Sequence, residues 1–120
     1  MTQTSNKYNL EERTAKFGEQ IILLCRQIKQ DVINRPIINQ IIKSGTSIGA
    51  NYMEANGASS KKDFLNKIFI CKKEAHETKH WLRMLQSCNI EYKNQLDVLW
   101  KECQELTMIF QKICNSTRSG

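Results

Sequence analysis

Apolar residues recur at alternating intervals of three and four along most of this chain, which is the pattern of helices with one buried face. Asn9 and Glu12 match a capping box, in which two side chains satisfy backbone amides at a helix N-terminus. We therefore predict a first helix that starts after Asn9 and stops near Asn34-Arg35-Pro36. Its apolar stripe consists of Phe17, Ile21, Leu24 and Ile28.

A second helix is predicted to begin around Pro36, because proline lacks an amide hydrogen and its fixed φ suits a first helical turn. Asn34 or Arg35 would then be the N-cap. The helix should end at Asn56-Gly57, since glycine adopts a left-handed C-terminal conformation at little cost. The apolar and small residues of its inner face are Ile38, Ile41, Gly45, Ile48, Tyr52 and Ala55.

Small residues are concentrated in the middle of this second helix, although each helical glycine costs about 1 kcal/mol relative to alanine. Gly45 and Gly49 lie four residues apart and therefore on one face. We predict that another helix approaches closely there. Asn51 and Glu54, beside Tyr52, are predicted to form a buried hydrogen-bonding network that fixes helix register.

Ser60 and Asp63 have the spacing of an N-cap and its acidic partner, so a third helix should begin at this point. Residues 87–93 interrupt the apolar pattern, and a fourth helix follows them. The third stripe is a regular heptad seam and consists of Phe64, Ile68, Cys71, Ala75, Thr78, Leu82 and Leu85. The fourth stripe consists of Leu96, Leu99, Cys103, Leu106, Phe110 and Ile113.

Four long helices joined by short connectors predict an all-α, antiparallel up-down-up-down four-helix bundle. A chain of 120 residues is the size of one domain, so residues 1–120 should form a single bundle with frayed ends at about 1–8 and 116–120. No apolar run is long enough to cross a membrane, and the polar N-terminus lacks the features of a secretory signal. We expect a cytoplasmic protein whose five cysteines are reduced thiols.

The net charge of +6 is concentrated in the third helix. Residues 58–89 contain seven Lys and Arg against three Asp and Glu. At 100° per residue six of these seven cations fall on one flank, which also carries Leu65 and Phe69. This pattern indicates either an ordinary solvated face or a phosphate-binding surface. The candidate nucleic-acid-binding residues are Lys61, Lys62, Lys72, Lys73, Lys79 and Arg83.

Several large apolar side chains lie outside the predicted core stripes of the third and fourth helices. Such residues indicate self-association, because Trp and Met are enriched in protein interfaces, although a core wider than two positions would also bury them. The candidate interface residues are Ile70, Trp81, Met84, Trp100 and Met108.

The chain also contains one sequence that resembles a catalytic motif. His76-Glu77-Thr78-Lys79-His80 matches the H-E-x-x-H pattern of zinc hydrolases. We reject a metal site there, because the chain has no third histidine and Lys79 would repel a cation. With no glycine-rich phosphate loop after a strand and no nucleophile with a histidine partner, we predict neither enzymatic activity nor a cofactor.

Three segments together resemble a known bacterial family. They are Lys43-Ser-Gly-Thr-Ser-Ile-Gly-Ala-Asn-Tyr-Met-Glu-Ala55, Ala58-Ser-Ser-Lys-Lys-Asp-Phe-Leu65 and Cys71-Lys-Lys-Glu-Ala-His-Glu-Thr-Lys-His-Trp-Leu-Arg83. In this order they are similar to the four-helix bundle proteins of the 23S rRNA intervening-sequence family. The resemblance implies an antiparallel bundle that assembles as a homopentamer without known enzymatic activity. A more distant similarity, to the accessory variability protein of diversity-generating retroelements, implies nucleic-acid binding by a basic barrel.

Two functional hypotheses follow from these observations. The first is a homo-oligomeric bundle that binds RNA or DNA through the basic flank of the third helix. The second is a protein-interaction scaffold that uses its apolar flank to bind a protein partner and has no direct role in nucleic-acid binding.

Overall fold

The computed structural model describes residues 9–119, and these form four α-helices with no strand among them. The helices are α1 (Leu10–Gln27), α2 (Asn34–Asn56), α3 (Lys61–Cys88) and α4 (Lys93–Ser119), with a 3₁₀ turn at Ile90–Tyr92 before α4. They form an antiparallel bundle of 47 × 21 × 20 Å, which confirms the predicted all-α four-helix fold.

The core lies along the axis of the bundle and contains the predicted apolar stripes. Phe64 and Ile113 are half-buried at its edge, and the other members of the four stripes are buried. Four of the five cysteines are buried free thiols, and Cys88 is exposed. Burial raises the pKa of the Cys25 thiol to about 11 and that of Cys103 to about 12, so these thiols remain protonated near neutral pH.

The small residues of α2 bring that helix close to α1, as the glycine spacing predicts. A Cβ atom added to Gly45 would lie 3.2 Å from Ile21 Cγ1, and one added to Gly49 would lie 3.3 Å from Thr14 Oγ1. Gly18 faces Thr46 in the same interface. The absence of side chains at these positions therefore sets the distance between the two helices.

The start of α1 and the connector after it differ from the prediction in detail. Helix α1 begins after Asn9, but this residue has a left-handed φ of 48° and its side chain caps no amide, so the predicted capping box is wrong. The helix ends at Gln27 rather than near residues 34–36, because Ile28 turns into extended backbone while its side chain stays buried. Ile28 is buried and continues the spacing of the α1 stripe, so the pattern assigned it to the helix. It is the first residue of the loop instead.

Asp31, rather than Asn34 or Arg35, caps the first turn of α2. Its Oδ1 accepts the backbone N–H groups of Ile33 at 3.1 Å and Asn34 at 2.7 Å. The helix ends at Asn56 as predicted, but Gly57 has a φ of −96° and is not left-handed. The prediction at Ser60 is confirmed, since its hydroxyl accepts the Asp63 N–H at 3.0 Å.

Buried polar contacts between helices form at positions other than the predicted network. The Asn34 and Asn89 amides bond reciprocally at 2.9 and 3.1 Å, and the Ser44 and Thr78 hydroxyls are 2.9 Å apart. Asn51 is half-buried and its amide donates only within α2, to Ser47.

Glu54, the other acidic or amide residue of that predicted network, is exposed and pairs with Lys67 of α3 at 2.7 Å. The prediction of a buried network around Asn51 and Glu54 is therefore wrong, because both side chains point toward the rim of the α2–α3 interface rather than into the core.

The four helices do not pack equally against their neighbours. Helix α2 packs broadly on α1 and α3, and α3 packs broadly on α4, whereas α1 and α4 share a thin contact. Arg13 of α1 bridges that seam by bonding Glu102 at 2.7 Å and Glu105 at 2.9 Å. The α3–α4 face is consequently on the opposite side of the bundle from the α1–α2 face.

The predicted frayed ends fall largely outside the described residues, since 1–8 and 120 are not described and α4 continues through Ser119. Within the described part of the chain, none of the helices is long and apolar enough to span a membrane.

Candidate nucleic-acid interface

Lys72 and Lys79 of the predicted basic flank extend across the groove between α3 and α4. The Lys72 ammonium donates to Gln111 Oε1 at 2.8 Å, and the Lys79 ammonium donates to Gln104 Oε1. Both lysines are half-buried. Helices α3 and α4 therefore position these two charges jointly, through neutral amide acceptors. The other four candidate residues, Lys61, Lys62, Lys73 and Arg83, are exposed on α3.

The six candidate cations have no acidic partners among the described residues. None of them lies within 4.0 Å of a carboxylate there, although Lys67 on the same helix pairs with Glu54 and Arg13 is held by two glutamates. Unpaired cations remain available to an external anion, whereas paired ones must first lose their partner. Cations elsewhere on the bundle, such as Lys16, Lys29 and Lys43, also lie beyond 4.0 Å from any carboxylate of the described residues, so the basic flank differs from them in how many cations one flank of a single helix carries.

Two aromatic rings lie in the same groove, in contact with cations. The Lys72 ammonium is 5.3 Å from the centre of the Phe69 ring, and the Arg118 guanidinium is 5.4 Å from the same ring. The Lys79 ammonium is 5.4 Å from the Trp100 ring. We call this set the α3–α4 groove, and it consists of Phe69, Lys72, Lys79, Trp100, Gln104, Gln111 and Arg118.

Of the seven groove residues, only Lys72 and Lys79 were predicted to bind nucleic acid, Phe69 was noted on the basic flank, and Trp100 was predicted at a protein interface. The other three had no predicted role. Gln104, Gln111 and Arg118 continue from Trp100 at intervals of four and seven, which places them on one side of α4. That spacing marks a common face, but only the register between α3 and α4 shows that it adjoins the lysines.

His76 is exposed beside the groove. Its pKa is lowered from the usual value of 6.5, first by partial burial and then by the positive charges of Lys79 and Lys72. The other histidine of the motif, His80, is exposed and lies edge-on to Trp81, with ring centres 4.8 Å apart. No group of three metal-ligating side chains occurs in the part of the chain that the structure describes.

The five candidate interface residues do not share one surface. Trp100 is 39% exposed and contacts Lys79, so it belongs to the α3–α4 groove. At 100° per residue, Trp81 lies about 160° around α3 from Lys79. Trp81 packs at the edge of the core, and Ile70 and Met84 are half-buried on the same flank of α3. Met108 is exposed on α4.

An apolar groove that was not predicted follows the seam between α1 and α4. It has a volume of about 280 Å³ and contains Leu23 and Val98, whose side chains are 58% and 64% exposed. Leu23 lies off the apolar stripe of α1, so the spacing of that stripe does not mark it. The remaining lining residues are Gln20, Leu24, Gln27, Gln95 and Leu99.

Comparison with known proteins identifies a family and similar solved structures. The family model described as 23S rRNA-intervening sequence protein matches residues 6–112. The crystal structure of a protein of unknown function from the S23 ribosomal protein family of Bacteroides thetaiotaomicron is similar, with 31% sequence identity and a TM-score of 0.75. That alignment covers 87% of this chain and 96% of the other. No curated protein matches.

Proposed function

This chain belongs to the family of 23S rRNA-intervening sequence proteins, and from that premise and its α3–α4 groove we propose that it binds nucleic acid. The protein would act in the cytoplasm as a non-enzymatic homo-oligomer, with RNA or DNA as its ligand. The observation that carries this proposal is that six cations without carboxylate partners among the described residues share one flank of α3, whereas Asp63, Glu74 and Glu77 lie on the other. An ordinary solvated face would place acidic side chains among them.

Phosphate groups are suitable ligands for this surface. A phosphate oxygen carries negative charge, so it attracts an ammonium group more strongly than the neutral amide oxygen of a glutamine does. A phosphate would therefore replace Gln111 on Lys72 and Gln104 on Lys79. Contacts of this kind read the backbone and not the base sequence, and they weaken as salt concentration rises.

Charge reversal in the groove tests the proposal. We expect Lys72→Glu, Lys79→Glu and Arg83→Glu together to abolish binding of a mixed-sequence RNA and its DNA counterpart, measured by fluorescence anisotropy on nuclease-treated protein. Circular dichroism should show an unchanged helical fold, because none of the three side chains is buried.

The matched control makes the same change in net charge elsewhere. Lys16, Lys29 and Lys43 are exposed on α1, the following loop and α2, and their triple Glu variant should retain most of the affinity. Equal losses in both triple variants would mean that only overall charge attracts the ligand. The absence of any binding at low salt by the unmodified protein would overturn the proposal.

Self-association is the second part of the proposal, and the exposed apolar side chains support it. Leu23 and Val98 are more exposed than most apolar residues of the chain, and so is Met108 from the predicted interface. Residues of this kind at a soluble surface indicate a contact site. The resemblance to the family favours a homopentamer.

Light scattering during size-exclusion chromatography tests this part. A mass near five times the 14.0 kDa chain supports a pentamer, and a 14.0 kDa species at all concentrations contradicts self-association. Two single variants locate the contact. Val98→Asp probes the α1–α4 seam and Met108→Asp probes the exposed side of α4 at that residue. Only a substitution within the contact should dissociate the oligomer.

A scaffold that binds another protein is the alternative function. The apolar α1–α4 groove favours it, because a helix or a peptide could bury Leu23 and Val98. A partner that co-purifies after nuclease treatment and is lost in the Val98→Asp variant, together with no nucleic-acid binding, would favour the scaffold.

A further inference from the structure

The aromatic rings in the α3–α4 groove indicate which form of nucleic acid it would bind. We propose that the ligand is a single strand, with unpaired bases stacked on Phe69 and Trp100 and phosphates held by Lys72, Lys79 and Arg118. This inference rests on the proposed nucleic-acid binding and adds the class of ligand. It predicts a preference for single strands over duplexes of the same sequence.

Each ring of the α3–α4 groove lies beside a cation. Phe69 lies between Lys72 and Arg118, and Trp100 lies below Lys79, all at 5.3 to 5.4 Å from the ring centres. A nucleotide carries a negative phosphate next to a flat base, so it can engage both members of such a pair. A phosphate that draws the Lys79 ammonium outward would also uncover the Trp100 ring for a base.

Both rings are partly exposed to solvent. Trp100 is 39% exposed and Phe69 is partly exposed at the edge of the core. Phe69 is therefore supported by the core and Trp100 is partly open to solvent, and the mobile side chains of Lys72, Lys79 and Arg118 lie next to their rings. A ring held in this way loses little conformational freedom when a base stacks on it, which favours stacking over a role in the core alone.

The distance between the two rings follows from the register between α3 and α4. The contacts Lys72 to Gln111 and Lys79 to Gln104 fix the antiparallel register, so Trp100 lies at the level of Arg83. That level is fourteen residues from Phe69, or about 21 Å along the bundle at 1.5 Å per residue. Two unpaired bases several nucleotides apart on one strand can reach both rings.

A duplex cannot use the groove in the same way. Its bases are stacked on one another, so their faces are hidden and only phosphates would touch the protein. Sequence-tolerant recognition of single strands combines a positive groove with aromatic residues on which unpaired bases stack. The α3–α4 groove contains both components, with amide side chains from Gln104 and Gln111 between them.

Two measurements on the full-length protein test this inference. The first compares affinities for a single-stranded RNA, the same sequence as a DNA strand, and the corresponding duplexes. The second uses a Trp81→Phe background, in which Trp100 is the sole tryptophan. We expect tighter binding of single strands and quenching of Trp100 fluorescence by them, with little quenching by duplexes.

Variants at position 100 separate stacking from charge. Trp100→Leu should weaken single-strand binding about tenfold, because loss of one base–aromatic stack is worth 1 to 3 kcal/mol. It should leave duplex affinity and the salt dependence unchanged, and Trp100→Phe should restore most of the loss. Val32→Ala is the control, since it changes an exposed apolar residue in the loop between α1 and α2, away from both grooves.

The outcomes distinguish failure of this inference from failure of the proposed function. Equal affinity for single strands and duplexes, with no effect of Trp100→Leu, overturns the single-strand inference while the charge-reversal result still supports nucleic-acid binding. Absence of binding to every probe overturns both. A preference between the RNA and DNA strands identifies which of the two sugars the groove accepts.

Discussion

Asn34 and Asn89 form a buried, reciprocal pair of side-chain amides in the interior of this bundle. Their side-chain amides donate to each other and also to the carbonyl groups of Lys29 and Leu85. The pair thus ties the loop before α2 to the end of α3. A buried amide that loses its partner keeps its desolvation cost without a compensating bond.

We therefore expect Asn89→Leu to lower the free energy of unfolding by about 1 to 3 kcal/mol, since the Asn34 amide loses its side-chain partner. Urea denaturation measures the change. The double variant Asn34→Leu, Asn89→Leu should recover part of the loss, because neither amide is then left buried alone. If Asn89→Leu and the exposed control Asn39→Ala have equal effects, the pair does not contribute as described.

His76 reports the electrostatic potential of the basic flank. Partial burial and the charges of Lys79 and Lys72 keep its pKa below 6.5, and we expect Lys79→Gln to raise it. In the unmodified protein, His76 therefore binds a proton more readily in the unfolded chain than in the folded one. The free energy of unfolding should decrease as the pH falls from 6.5 through the folded-state pKa. A bound polyanion should raise the pKa of His76. The affinity for the polyanion should therefore increase as the pH falls through the same range.

Histidine NMR signals recorded across this pH range measure both effects, and His80 provides an internal comparison. An imidazole of His76 that titrates above 6.5 in the free protein would contradict the described environment. A titration that does not change on addition of RNA would mean that phosphate does not approach this side of α3.

At the level of the helices, the α1–α2 contact is determined by glycines. A Cβ added to Gly18 would meet Thr46 at 3.5 Å, an ordinary contact, whereas Gly49 faces the Thr14 backbone at 3.4 Å. Gly18→Ala should therefore stabilise the fold by about 0.5 to 1 kcal/mol through better helix propensity. Gly49→Leu should destabilise it by about 1 to 3 kcal/mol, because α1 must move away.

Thermal and urea unfolding of the two variants measure these changes. The opposite signs are the informative result, since both substitutions replace glycine within a helix. If Gly49→Leu were tolerated as well as Gly18→Ala, the close approach of α1 and α2 would contribute little to stability.

The sequence predicted the helices well because their apolar spacing is regular. Pro36 and Ser60 also mark the starts of α2 and α3. It predicted the connector after α1 poorly, since Ile28 is buried in a loop and keeps the spacing of a helical residue. The basic flank of α3 follows from one helix alone. The grouping of Lys79 with Trp100 depends on how α3 and α4 align, and periodicity within each helix carries no information about that register.

Across the whole molecule, charge is distributed unevenly between opposite faces. The α1–α2 groove is bordered by Glu11, Glu12 and Glu19, whereas the α3–α4 groove contains cations without carboxylate partners among the described residues. A polyanion approaching the bundle is therefore repelled by one face and attracted by the other. This asymmetry would orient the proposed ligand before any stacking contact forms.

The salt dependence of binding measures how many cations of the protein contact phosphates of the ligand. For a single strand, each neutralised phosphate contributes about 0.7 to the slope of log affinity against log salt concentration. Lys72→Ala with Lys79→Ala should lower that slope by about 1.4, since two phosphate contacts are lost. Lys16→Ala with Lys43→Ala should leave it unchanged. A reversed result would place the ligand on α1 and α2, and a slope larger than the cations of one chain can supply would mean that several subunits bind the same strand.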